Sequence, residues 1–119
     1  MENKTFDHER LDVYRAAIEF VVLSDEILKE LPRGRAYLVD QLQRAGSSIA
    51  LNIAEGAGEY ARYEKHRFYR TAKRSTTECA AILDIAQKLG LSETKKLNDA
   101  RDLLFRIVSM LIRMVKSGT

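Results

Sequence analysis

The sequence predicts an all-α protein, a single four-helix bundle spanning residues 1–119. Three observations carry that expectation. Apolar residues recur at three- and four-residue steps through most of the chain, almost no stretch alternates at period two, and the one proline and every glycine but Gly46 fall outside the periodic segments. A length of 119 residues suits one domain, and 45% hydrophobic with 31% charged residues is a globular balance rather than a disordered one. No apolar run approaches the roughly 18 residues of a spanning helix, and the start MENKTFDHE has neither the basic nor the apolar region of a signal peptide. The expected setting is cytoplasmic, with no membrane partner.

The first helix is expected over about 8–31, with Leu11, Tyr14, Ile18, Val21 and Leu28 on one stripe. Pro32 and Gly34 stop it, because proline lacks the amide proton and disfavours helical dihedrals in the residue before it. The second, about 37–55, puts Leu38, Leu42, Ala45, Ile49 and Ile53 on one face and ends at Gly56-Ala57-Gly58, read as a C-cap and turn. The third, about 60–89, repeats Phe68, Ala72, Ser75, Cys79, Ile82, Ala86 and Leu89 as a heptad seam. Gly90 ends it. Ser92 is the expected N-cap of the fourth, about 92–116, which carries Leu97, Ala100, Leu104, Ile107, Leu111 and Met114 in register. Short connections make consecutive helices antiparallel neighbours, giving an up-down-up-down bundle.

Helices one and four hold more apolar residues than one seam needs, around Phe20-Val21-Val22-Leu23 and Leu103-Leu104-Phe105 with Met110-Leu111-Ile112. A few hundred Å² of apolar area left wet corresponds to several kcal/mol available to association. A homo-oligomer is expected.

Charge is unevenly spread. The net formal charge is +3, yet residues 1–31 carry eight acids against four bases, and residues 59–74 carry six bases against two acids. Clustered Lys and Arg raise the local potential beyond what the net charge implies. In that basic segment Arg62, Lys65, His66, Tyr69, Arg70 and Lys73 recur at helical steps, with Arg67 and Arg74 on the flank and Phe68 and Ala72 facing the core. Cations to neutralise phosphates and tyrosines (Tyr63, Tyr69) to stack on unpaired bases would then share one exposed surface, which Arg33 and Arg35 extend. Helix two bears a second, polar stripe of Gln41, Ser48, Asn52, Glu55 and Glu59 beside its apolar face, where partial burial would demand hydrogen-bond partners.

The run Gln41-Leu42-Gln43-Arg44-Ala45, Ser48-Ile49 and Asn52-Ile53-Ala54-Glu55-Gly56, with Val13-Tyr14-Arg15-Ala16-Ala17, Phe68-Tyr69-Arg70-Thr71-Ala72 and Leu89-Gly90 at matching spacing, resembles a known family. It is the four-helix-bundle family of the 23S rRNA intervening-sequence proteins. The resemblance covers about Glu9 to Met114 and implies a small bundle assembling into rings, typically pentamers, without an established activity. It also implies structural roles for Gln41, Arg44, Ser48, Asn52, Glu55 and Gly56. Accessory variability determinants of retroelements, related in fold, make nucleic-acid contact an expectation by analogy. In one place the chain departs from the family. A Gly-Ser pair followed by glutamate becomes Arg74-Ser75 and then Glu78, so a large charged residue stands where a glycine lets helices approach.

The residues supply no catalytic constellation. Neither His8 nor His66 stands three residues after a glutamate, so the inward Glu-x-x-His pairs of a di-iron bundle are missing. Gly56-Ala57-Gly58 lacks the Lys-Ser or Lys-Thr of a phosphate loop. Cys79 sits in a seam where a thiol acts as a small hydrophobe, and Asn52 with Glu55 has no second acid or histidine in register. The expectation is a non-enzymatic oligomer with no cofactor or metal. It binds RNA or DNA, or serves a nucleic-acid enzyme, through Arg62, Lys65, Arg67, Tyr69, Arg70, Lys73 and Arg74. The alternative is a scaffold for a protein partner, without nucleic acid.

Overall fold

The computed structural model describes residues 4–118. Apolar periodicity becomes four helices: α1 (Asp12–Lys29), α2 (Ala36–Ala57), α3 (Arg62–Lys88) and α4 (Thr94–Ser117), with a 3-10 turn at Asp7–Arg10 ahead of them. Among the described residues there is no strand. None of the described helices is long and apolar enough to cross a membrane.

The first helix is shorter than its sequence pattern. Leu11 is extended (φ −90°, ψ 128°) and separates the 3-10 turn from α1, and its carbonyl accepts the Tyr14 and Arg15 amides to open the helix. At the other end of the bundle Ser92 does not cap α4. The extended residue before that helix is Glu93, and the Ser92 hydroxyl is buried without a hydrogen-bond partner. Gly90 ends α3 as expected, for a specific reason. Its φ of +65° lets the Leu91 amide reach back to Ala86 O (2.9 Å) and its own amide to Gln87 O (3.0 Å), the paired closure that favours glycine after a helix.

α1 packs on α2 and α4, and α3 packs on the same two, with no contact across the diagonals among the described residues. The ends that meet are identifiable. Gly56 of α2 lies against Tyr69 of α3, Asp84 of α3 pairs with Arg101 of α4, Arg62 at the start of α3 lies against Gly118 after α4, and Lys96 of α4 pairs with Glu30 just after α1. The core between them holds Phe20, Ile49, Ile53, Leu104 and Ile107, all but sealed from solvent.

Two registers depart from expectation. In α1 the buried residues are Val13, Ala16, Ala17, Phe20, Ser24, Ile27 and Leu28, whereas Ile18 is 41% exposed and Tyr14 and Val21 are half-buried. A helix that is apolar on most sides offers two stripes. The small Ala16 and Ala17 belong to the buried one, and Phe20 on that stripe reaches Gly46, where a Cβ would stand 3.5 Å from its ring. In α3 the seam from Ala72 to Ala86 is as expected, but Leu89 is exposed, and the buried aromatic is Tyr69 rather than Phe68.

Cys79 is fully buried in that seam, and burial pushes its thiol up to about 12. The folded chain therefore holds a proton that the unfolded chain releases near pH 9. The resulting stability is complete below pH 9 and lost as pH rises from there toward 12. Iodoacetamide at pH 8.5 is expected to leave the native thiol unmodified and to label it after denaturation, as mass spectrometry would read. Labelling of the native chain at the denatured rate would show that the seam opens.

Candidate nucleic-acid interface

The first turns of α3 divide the predicted cation stripe in two. Tyr69 is only 2% exposed and His66 is buried with its Nε2 unpartnered, so neither ring is available to stack on a base. Arg62 lies against Gly118 at the C-terminus of α4, where its charge suits the carbonyl-rich helix end. Lys65 is half-buried beside Tyr69 at the α2–α3 corner. The stripe drawn from sequence was thus rotated toward the core by one residue step.

What solvent meets instead is a row at four-, three- and four-residue steps: Tyr63, Arg67, Arg70 and Arg74, with Lys73 beside it. Tyr63 is 71% exposed, and the Arg70 guanidinium stands 6.0 Å from its ring centroid. Arg67 is bridged to Glu64 at 2.8 Å and lies 4.7 Å over the Phe68 ring. Its pKa is raised, chiefly by the hydrogen bond it donates to the Glu64 carboxylate. Arg70, Lys73 and Arg74 are in no salt bridge among the described residues. An exposed cation row in which these three lack carboxylate partners, with an aromatic at one end, can neutralise successive phosphates and offer a face to one base. Arg33 and Arg35 do not extend it. They precede the start of α2, the end remote from Gly56 and Tyr69, and the Arg35 guanidinium donates to the Tyr37 hydroxyl at 3.2 Å.

In the polar stripe of α2, Ser48, Asn52 and Glu59 are half-buried as expected, and Ser48 is hydrogen-bonded to α3. Gln41, Arg44 and Glu55 are exposed, with Arg44 paired to Asp40 at 2.9 Å. Ser48 is the hub. The Asn52 amide donates to its carbonyl (2.8 Å) and hydroxyl (2.9 Å), and the Ser75 hydroxyl of α3 donates to the same Ser48 Oγ at 2.9 Å. Arg74 does not hold the helices apart there, because its side chain points to solvent while Ser75 takes the inward position. Gln41, Arg44, Ser48, Ser75 and Glu78 line a shallow groove of about 320 Å³.

The Gly56-Ala57-Gly58 run does end α2, with Gly58 rather than Gly56 as the C-cap. α2 runs through Gly56 to Ala57, and a Cβ at Gly56 would stand 2.7 Å from Tyr69 Cε1 and 3.1 Å from the Lys65 carbonyl. Its value is the space it leaves for the tyrosine ring. No group of three or more His, Cys, Asp or Glu among the described residues is arranged to hold a metal ion.

Sequence reasoning missed the pocket at the α2–α3 corner, because its walls come from three separate segments. The one visible signal was the cluster of Glu59, Tyr60 and Lys65 around the glycine-rich turn.

The family model of the 23S rRNA-intervening sequence protein matches residues 9–113. Among solved structures, a protein of unknown function from the S23 ribosomal protein family of Bacteroides thetaiotaomicron VPI-5482 is similar in fold. It is 21% identical over 87% of this chain and 98% of that one, with a TM-score of 0.81. The comparison with curated proteins finds no match. With nearly the whole bundle, including the Gln41–Gly56 run and the basic row of α3, inside the matched region, this chain belongs to the 23S rRNA-intervening sequence protein family.

Proposed function

We propose that this protein is a non-enzymatic, ring-forming bundle that binds the phosphate backbone of RNA or DNA through the outer face of α3. The observation that carries the reading is the run of Arg70, Lys73 and Arg74, exposed and without carboxylate partners among the described residues. Fixed cations that no internal acid neutralises release counterions when phosphates replace them, which is the main source of sequence-independent affinity. The meeting of helix ends supports an antiparallel up-down-up-down course. The uncovered apolar residues of α1 and α4 support self-association, in rings of five by family resemblance, which would repeat the cation row around one rim.

Fluorescence titration with mixed-sequence RNA at low and moderate salt tests this. The expected affinity falls with salt by roughly 0.7 log unit per log unit of salt for each phosphate contacted. The pair Arg70→Glu with Lys73→Glu should weaken binding and flatten that slope. No binding at low salt, or binding untouched by the pair, rejects the reading.

A scaffold for a protein partner is favoured by a different feature. The α1–α4 groove of about 590 Å³ has an apolar floor of Ile18, Val22, Leu23 and Leu103 under a mainly acidic rim. Partners that stay bound after nuclease treatment of a lysate would support that alternative.

A further inference from the structure

Beyond the end of the cation row, the 3-10 turn, the α2–α3 connection and the first turns of α3 close around a pocket of about 340 Å³. This is within the usual range for small ligands. Its walls carry Asp7, Arg10, Glu59, Tyr60, Lys65 and Tyr69. Three properties set it apart from an ordinary surface dimple. Asp7, Arg10, Glu59 and Lys65 are in no salt bridge among the described residues, although both signs are present. The Tyr69 side chain is 98% covered, yet its hydroxyl has no hydrogen-bond partner among the described residues and is not sealed off from solvent. Tyr60 is fully exposed on the wall, an aromatic face with nothing covering it.

We propose that this pocket receives an unstacked guanine base from a single-stranded nucleic acid whose backbone lies along the α3 row. This deepens the phosphate-binding reading and rests on it. Guanine alone among the four common bases presents two adjacent N–H donors, N1–H and N2–H, beside an acceptor, O6. A carboxylate has two acceptor oxygens and matches the donor pair, and a phenol O–H matches the acceptor. Glu59, half-buried and unbridged, is the carboxylate, and Tyr69 supplies the hydroxyl. Burial raises the Tyr69 phenol above its ordinary value, which keeps it a donor at neutral pH. Tyr60 provides the stacking face, the usual way proteins hold a base splayed out of a strand. Lys65 meets the phosphate that leads from the pocket to Arg70, and Arg10 balances the charge of Glu59 and Asp7. Adenine and cytosine offer one exocyclic amino group without the neighbouring imino donor, and uracil offers an imino group between two acceptors, which a carboxylate repels.

Fluorescence anisotropy with labelled uridine hexanucleotides carrying one central guanosine, inosine, adenosine or uridine tests the assignment. The guanosine oligomer should bind about tenfold tighter than the adenosine and all-uridine ones, the scale of one bidentate base contact. Inosine, which lacks the N2 amino group, should fall between. Glu59→Gln should erase the guanosine preference without weakening all-uridine binding, whereas Arg70→Glu with Lys73→Glu should weaken all four alike. Equal wild-type affinity for the four oligomers overturns the pocket assignment and leaves the arginine row standing. A guanosine preference that survives Glu59→Gln overturns it too, and absence of any binding at low salt overturns both readings.

Discussion

Gly56→Ala is expected to destabilise the bundle by about 1–3 kcal/mol, the usual cost of forcing extra atoms into a packed interface. The direction is opposite to that for an open helix interior, where alanine gains up to about 1 kcal/mol over glycine. The difference lies in what the new methyl meets. At Gly56 it would stand 2.7 and 2.9 Å from Tyr69 Cε1 and Cδ1, and 3.1 Å from the Lys65 carbonyl, which is backbone and moves only with α3. Gly46→Ala is the internal control. There the new methyl would rest 3.5 Å from the Phe20 ring, an ordinary contact, so its helix-propensity gain should survive. Thermal melting of the two variants should therefore move in opposite directions, or at least leave Gly46→Ala unharmed. Tyr69→Leu removes the ring atoms that collide with the methyl. In that background the cost of Gly56→Ala should shrink by about 1 kcal/mol, a coupling of the size seen between touching residues. An undiminished cost would mean that the ring is not what Gly56 accommodates.

Assembly is where the second large effect is expected. Phe105 is 74% exposed on α4, Val22 on α1 is more than half exposed, and Ile18 lies one turn before Val22. Burying such side chains against another copy would stabilise an oligomer at roughly 25 cal/mol per Å² of apolar area. The wild-type chain should elute, by light scattering, at several times 13.6 kDa. Val22→Glu together with Phe105→Glu should lower that mass toward one chain. The carboxylate at position 22 would join Glu19, Glu26, Asp99 and Asp102, which already line the α1–α4 groove, and the one at position 105 would stand beside Asp102 in the neighbouring α3–α4 groove. Neither residue is in the core, so the helical content should be unchanged. A wild-type mass equal to one chain at micromolar concentration would remove both the ring and its multiplied cation rim.

Helix α2 was almost fully legible in the amino-acid order. Leu38, Leu42, Ala45, Ile49 and Ile53 are all buried, because that helix has one dominant apolar face, with Tyr37 and Leu51 as exposed exceptions. α4 reads nearly as well from Leu97 to Leu111, with Met114 only half-buried at its end. α1 was not legible in this way. Apolar residues occupy most of its circumference, so periodicity alone admits both the stripe through Ile18 and the stripe through Phe20. The arrival of Phe20 at Gly46 on another helix is a long-range fact.

The candidate site divides along the same line. That the N-terminal half of α3 carries excess positive charge among tyrosines was plain from residues 59–74. Which of those residues face solvent was not, because Phe68 and Tyr69 are adjacent and either ring could have entered the core. The space beside Gly56 admits the Tyr69 ring, and that choice turns His66 and Tyr69 inward and leaves Arg67, Arg70 and Arg74 outside. The corner pocket, with Arg10, Glu59 and Lys65 drawn from three segments, exists only once those segments are folded together.

The linear chain by itself determined helix number, the joints at Pro32 and Gly90, the inner faces of α2 and α4 and the location of the positive charge, since each depends on local spacing or on one residue's backbone freedom. Tertiary structure alone decided the rotation of α1 and of the first turns of α3, and with it which cations are free. A helix rotates to fit the small residues of its neighbours, and contacts between Phe20 and Gly46 or Tyr69 and Gly56 join positions too far apart for any local pattern to record.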